Sequence, residues 1–251
     1  MTGVQPGDPR DLAPQYVLPL VVRVERAEPP GRTDALEAAA LAVLTFLTDP
    51  RATGSRAEGE AEAVAEGDEE PAVAGEWAAA VMAWTDARIR KVVRRARGAE
   101  WRRAEALDGI TVTHGSAEVR VFPPVPLDGW PRDLARLQVS GTDLDDPGPP
   151  GPPPPPGVPV LWLNPAVELT AGKAMAQVGH AAQLGLAALD PGTAETWRKA
   201  GFPVAVRVAV KAAWATLLDR DLPVVRDAGF TEIAPGTCTA VAEIGILRSP
   251  G

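Results

Sequence analysis

Between Asp143 and Pro159 the chain reads DLDDPGPPGPPPPPGVP. Proline has no backbone N–H and a fixed φ, so this run can sit neither inside a helix nor mid-sheet. It holds an extended polyproline II form of about 3.1 Å per residue. The chain must therefore fold on either side of a semi-rigid spacer. Four parts follow: a polar N-terminus over 1–14, expected to be disordered; a region over 15–142; the linker over 143–157; and a region over 158–251.

The two regions share a frame. Trp84, Val93, Arg94 and Trp101 precede Trp197, Val206, Arg207 and Trp214 by the same 113 residues. Upstream, Gly31-Arg32 with an Ala-rich helix matches Gly172-Lys173 with another, at an offset of 141. The difference falls in the stretch Asp49–Glu76, where an insertion costs little. With 7 tryptophans in the chain, two matched pairs in fixed register point to an internal duplication.

The order of elements gives the fold class. In the second region Pro159–Asn164 reads as a strand, Gly172–Leu189 as a helix that Thr170 can cap, and Thr193–Ala200 as a short helix. Strand Pro203–Val208, helix Ala212–Asp219, strand Pro223–Arg226 and strand Thr237–Leu247 follow, the last after a Pro235-Gly236 turn. The first region repeats this with Leu18–Val24, Thr33–Phe46, Ile89–Arg94, Ala99–Leu107 and Val119–Phe122. The expectation is α/β: two related three-layer α/β/α units, each with a small mixed, mostly parallel sheet of about four strands.

Charge is unevenly spread. The net charge is -8, yet residues 158–251 hold 8 Lys/Arg against 8 Asp/Glu. The deficit lies largely in the acidic stretch 49–76, which carries Glu58, Glu60, Glu62, Glu66, Asp68, Glu69 and Glu70 and reads as a disordered loop. An acidic total therefore does not exclude an RNA partner. Arg88, Arg90, Lys91, Arg94, Arg95, Arg97, Arg102 and Arg103 form a basic cluster. It suits RNA phosphate, with Arg94 and Arg95 as contacts, or it is a solvated edge paired with the acidic stretch. The lone cysteine, Cys238, fits a reducing compartment, and two histidines argue against a zinc site. With no signal peptide or apolar span, the expectation is a cytoplasmic protein without cofactor or membrane contact.

Lys173, Gln177 and His180, at spacings of 4 and 3, share one helix face. Such a stripe is a solvated face or a site. Asp227, followed by Ala228-Gly229, stands at the end of the strand PVVR, where α/β folds place ligands; Gly229 permits the turn that exposes it. Thr237 and Thr239 then supply hydroxyls beside the last strand.

Together GKAMAQVGHAA and DAGFTEIAPGTCTAVAEIGI resemble two motifs of the type 2, archaeal/eukaryotic-type peptidyl-tRNA hydrolases, over about residues 158–247. The resemblance implies hydrolysis of the ester joining peptide to tRNA (or an N-blocked aminoacyl-tRNA), releasing peptide and free tRNA. Ester hydrolysis needs a water held near a base and positive charge at the developing oxyanion. On that basis Lys173, His180, Asp227 and Thr237 are the catalytic candidates, and Gln177, Gly229 and Thr239 bind substrate. Asp227 orients or deprotonates water, Lys173 holds anionic charge aided by the free N–H groups of its helix N-terminus, and His180 positions or shuttles a proton. No metal is required. The chain differs from the family pattern at Phe230, which replaces an Arg, and at Asn164 and Thr170. These differences motivate the alternative of a weakly active or inactive tRNA-binding or regulatory protein. The first copy carries Arg32, Leu36, Ala39 and His114 at the matching positions and reads as non-catalytic. Family members often form homodimers, so the duplication implies an intramolecular pseudo-dimer and leaves further homo-oligomers open.

Overall fold

The structure, a computed structural model, describes residues 9–54, 74–148, 151–227 and 233–245. The first copy runs β1 (Tyr16–Arg23), α1 (Arg32–Leu47), α2 (Pro50–Thr53), α3 (Ala78–Asp86), β2 (Lys91–Ala96), α4 (Gly98–Glu105), β3 (Ile110–His114), β4 (Ala117–Val121), β5 (Val125–Pro126) and α5 (Arg132–Ala135). The second runs β6 (Val160–Leu163), α6 (Ala171–Ala187), α7 (Pro191–Lys199), β7 (Ala205–Val208), α8 (Lys211–Leu218), β8 (Val224–Arg226) and β9 (Cys238–Glu243).

The two sheets have one topology. Strand order is β2-β1-β4-β3 in the first, with β5 added to β1, and β7-β6-β9-β8 in the second. The register agrees residue by residue. Leu20 lies opposite Val93 and Val121, and Leu161 lies opposite Val206 and Ala242. Thus the offsets of 141 and 113 in the sequence reappear as strand pairing. Trp84 and Trp197 lie buried at matching places, their indole N–H groups donating to Arg90 O and Pro203 O at 2.9 and 3.0 Å.

The expected mostly parallel sheets are corrected. Each sheet has one parallel pair, β1 with β2 and β6 with β7; its other pairs are antiparallel. The reason is connection length. A parallel pair needs a crossover element, which the long helix supplies once per copy, whereas β3 turns into β4 through Gly115 and Ser116 alone. Gly115 has φ +53, and a Cβ there would come within 2.4 Å of the Asp34 carboxylate.

Helices α1 and α6 join the copies. Arg32 at the start of α1 donates to Leu169 O just before α6, while Val43 meets Gly179 further along, so the helices run side by side in the same sense. A Cβ on Gly179 would stand 3.1 Å from Val43 and 3.2 Å from the Lys91 side chain, so glycine sets this close approach. One apolar core holds Leu20, Val43, Phe46 and Trp84 of the first copy together with Leu161, Met175, Val178 and Trp197 of the second. A smaller core under α4 and α5 contains Val21, Trp101, Phe122 and Leu134.

The acidic stretch begins in order: Asp49 caps α2 by accepting from Arg51 N at 2.8 Å. Residues 55–73 lie outside the described residues, as do 1–8 of the N-terminal segment. Among the described residues no helix is long and apolar enough to cross a membrane.

Candidate functional site

Helix α6 is rich in Gly and Ala, so it is enclosed on most sides: Ala171, Ala174, Met175, Val178, Ala181 and Ala182 have no exposure. Lys173, Ala176, His180 and Gln183 are half-buried and form its open stripe. Gln177, next to that stripe, is turned inward and buried.

Gln177 brings the two sequence motifs together. Thr239, fully buried on β9, donates its hydroxyl to Gln177 Oε1 at 2.5 Å. This fixes the amide orientation, so Gln177 Nε2 faces Asp227 Oδ2 and donates to it at 3.3 Å. The backbone holds the carboxylate in place: Asp227 N donates to Thr237 O at 2.9 Å and Gly236 N to Asp227 O at 2.7 Å. Thr237 closes the same turn, its hydroxyl donating to Ala234 O at 2.6 Å. Asn164 ties the end of β6 to this corner by donating to Cys238 O at 2.7 Å. A buried carboxylate facing an oriented amide beside a tight turn can hold a water or a substrate hydroxyl. Gly229 and Phe230 lie outside the described residues.

His180 points elsewhere. Its Nδ1 lies 3.2 Å from Lys91 Nζ, the buried first residue of β2 in the other copy. Lys91 also donates to Gln183 Oε1 at 2.5 Å and sits 4.9 Å from the centre of the Trp84 ring. Burial pulls the Lys91 ammonium well below its ordinary range. Burial, then the Lys91 charge, does the same to His180. The shared helix face therefore divides, Gln177 serving the Asp227 corner and His180 the seam between copies. In the sequence Lys91 is one cation among the eight of the basic cluster. Strand alternation was the available signal, since Lys91 stands two residues from Val93 and shares its buried face.

One further expectation is corrected. Thr170 occupies the N-cap position of α6 but makes no side-chain cap bond. Thr142 from the linker approach does that work: Ala171 N donates to Thr142 O and Gly172 N to Thr142 Oγ1, both at 3.1 Å. The N–H groups meant to assist Lys173 with an anion are thus partly taken, because the linker crosses the helix end. The counterpart α1 is closed likewise, Thr33 N donating to Asp146 Oδ1 at 2.7 Å.

Arg94 and Arg95 are engaged within the first copy. Arg94 donates to Leu137 O at 2.5 Å and Ala135 O at 3.1 Å and lies 4.3 Å over Trp130. Arg95 donates to Ser140 O at 2.9 Å and to the Gln138 side chain. Both guanidiniums bind the segment that leads into the linker. Arg88 pairs with Asp11 at 2.9 Å and Arg103 with Asp133 at 3.5 Å.

In the first copy β3 matches β8, and the Nε2 of His114 at its end lies 2.9 Å from Glu37 Oε2. The other Glu37 oxygen accepts from Val206 N at 2.9 Å and Arg207 Nη1 at 3.0 Å, so it satisfies the open edge of β7. A cleft of about 500 Å³ beside these groups is lined by Asp34, Glu37, Ser116, Asp146 and Arg207. Its carboxylates are bonded within the chain, Asp34 accepting from Ser116 N and Oγ at 2.7 Å. The strand end that flanks the site candidate in one copy is tied into a clamp in the other.

A scan of the chain against models of known families finds no match, and a search of the curated proteins finds none.

Proposed function

We propose that the chain hydrolyses the ester of peptidyl-tRNA, using the second copy, and that the first copy is its built-in partner. The observation that carries this is the Thr239–Gln177–Asp227 chain of hydrogen bonds, in which both motifs of the family resemblance meet although 50 residues separate Gln177 from Asp227. In this reading Asp227 accepts a hydrogen bond from the attacking water, and Gln177 and Thr239 hold the carboxylate's orientation. Lys173, half-buried four residues before Gln177, supplies positive charge for the phosphate or the oxyanion. Thr237 presents its hydroxyl oxygen at the turn. Each copy is then a three-layer unit, its sheet between the long helix and the short helix that follows the second strand.

Release of labelled peptide from a peptidyl-tRNA tests this, with Asp227→Asn and Lys173→Ala as controls. Turnover by the unaltered chain that Asp227→Asn leaves unchanged would sink the mechanism. The second reading, a tRNA-binding protein without turnover, has its own support in the Thr142 cap on α6. It expects tRNA binding that depends on Lys173 with no peptide released.

A further inference from the structure

The cluster of buried Lys91 and Trp84 with half-buried His180 and Gln183 is made by both copies, and the proposed chemistry leaves its purpose open. Lys91 reaches across from β2 into α6. Its amine has three neighbours: the Gln183 carbonyl oxygen at 2.5 Å, His180 Nδ1 at 3.2 Å and the face of the Trp84 ring at 4.9 Å. An ammonium has three N–H bonds to direct at three such neighbours. Among the described residues no carboxylate pairs with either group, and Lys91 is the one charge that acts on the ring.

We propose that Lys91, supplied by the non-catalytic copy, is a positioning residue that fixes His180 as a neutral ring with its proton on Nε2. An amine that donates to Nδ1 leaves that nitrogen as an acceptor, so the remaining proton belongs on Nε2. The gap between the copies cannot accept a second proton on His180 without placing two cations 3.2 Å apart. A ring held this way is a hydrogen-bond donor and not a base. Its bearing on turnover rests on the function proposed above: His180 would offer Nε2–H to the substrate and would not shuttle a proton. It also gives the first copy a chemical role, since it lacks the site residues but carries the lysine that sets the state of this histidine.

The test is nitrogen-15 NMR of the imidazole rings in the full chain, where His114 and His180 are the two histidines. His180→Gln assigns the signals. The expected result is an Nε2–H tautomer for His180 that does not titrate between about pH 5 and 8, the window in which an ordinary histidine does. In Lys91→Met the ring should lose its single tautomer and titrate at higher pH than in the unaltered chain, with burial still holding it below the ordinary range. A proton on Nδ1 in the unaltered chain would overturn the proposal, and that result needs no variant to fold. So would a His180 titration unchanged by Lys91→Met, in a variant shown to be folded by its far-ultraviolet circular dichroism. Peptide release from peptidyl-tRNA, measured on the same samples, is scored separately. No release by the unaltered chain counts against the enzymatic reading, whereas the tautomer alone decides the role of Lys91.

Discussion

Trp84 and Trp197 hold equivalent places in two copies of one fold: each indole donates to the carbonyl six residues on, at 2.9 and 3.0 Å, and each lies at 0% or 1% exposure. They stand 113 residues apart in the sequence and at matching ends of β2 and β7. Because both belong to one apolar core, damage to either copy is damage to the whole.

Trp84→Ala and Trp197→Ala should therefore each cost about 3–5 kcal/mol, the range for emptying a large buried side chain. Urea unfolding, followed by fluorescence and circular dichroism, should remain a single transition in both variants. Separate transitions for the two copies would show that the shared core does not couple them.

At the site, Asp227→Asn should lower peptide release on the order of 10²-fold or more, the scale on which a positioned general base acts. Thr239→Val removes the hydroxyl that orients Gln177, and should give a smaller loss in the same assay. Equal losses for Thr239→Val and for a surface control such as Lys199→Ala would deny the relay.

Arg94 and Arg95 hold the approach to the linker by donating to Leu137, Ala135 and Ser140 carbonyls. Replacing both with Ala should destabilise the chain by about 1–3 kcal/mol, since the bonds are charge-assisted but partly open to water. The salt dependence of tRNA binding should be left as it was. A flatter salt dependence at unchanged stability would instead assign them to phosphate.

Glu37 gathers Val206 N, Arg207 and His114. Glu37→Ala should cost about 2–4 kcal/mol, because it leaves the buried Val206 N–H without an acceptor and removes the carboxylate that faces the Arg207 guanidinium. The thermal midpoint would report it. A change below about 0.5 kcal/mol, the scale of an unremarkable surface substitution, would show that water replaces the carboxylate.

The Lys91–His180 pair gives the pH dependence a sign. Both folded-state values are depressed by burial, so the unfolded chain binds the proton more readily and stability rises with pH. The Lys91 contribution is complete above its ordinary value of 10.5 and is lost as pH falls through the depressed folded value. The His180 contribution is complete above 6.5 and is lost below it in the same way. Lys91→Met should remove the upper part of this slope in a series of thermal melts. A slope of opposite sign above pH 7 would contradict the burial of an amine that no carboxylate faces.

Much of the fold was legible because it is written locally and written twice. Alternation located the strands, Ala-rich periodicity located α1 and α6, and Leu20 and Leu161 occupy the same register in the two sheets. The antiparallel hairpins were less visible, since β3 is short and only half-buried along its length. Thr142 as the cap of α6 was hidden by distance, being 29 residues from Ala171 in a stretch read as the approach to a spacer.

The sequence by itself determined the matched frame of the two regions, most of their elements and the fact that Lys173, Gln177 and His180 share one side of a helix. Helical geometry fixes that spacing wherever the helix lies. Only the tertiary structure decided what each of those side chains faces. Gln177 meets Asp227 because α6 lies along β8 and β9 of its own sheet. His180 meets Lys91 because the same helix also lies against β2 of the other copy. Periodicity is a property of neighbouring residues, whereas the choice of neighbour across a buried seam belongs to the packing of the whole chain.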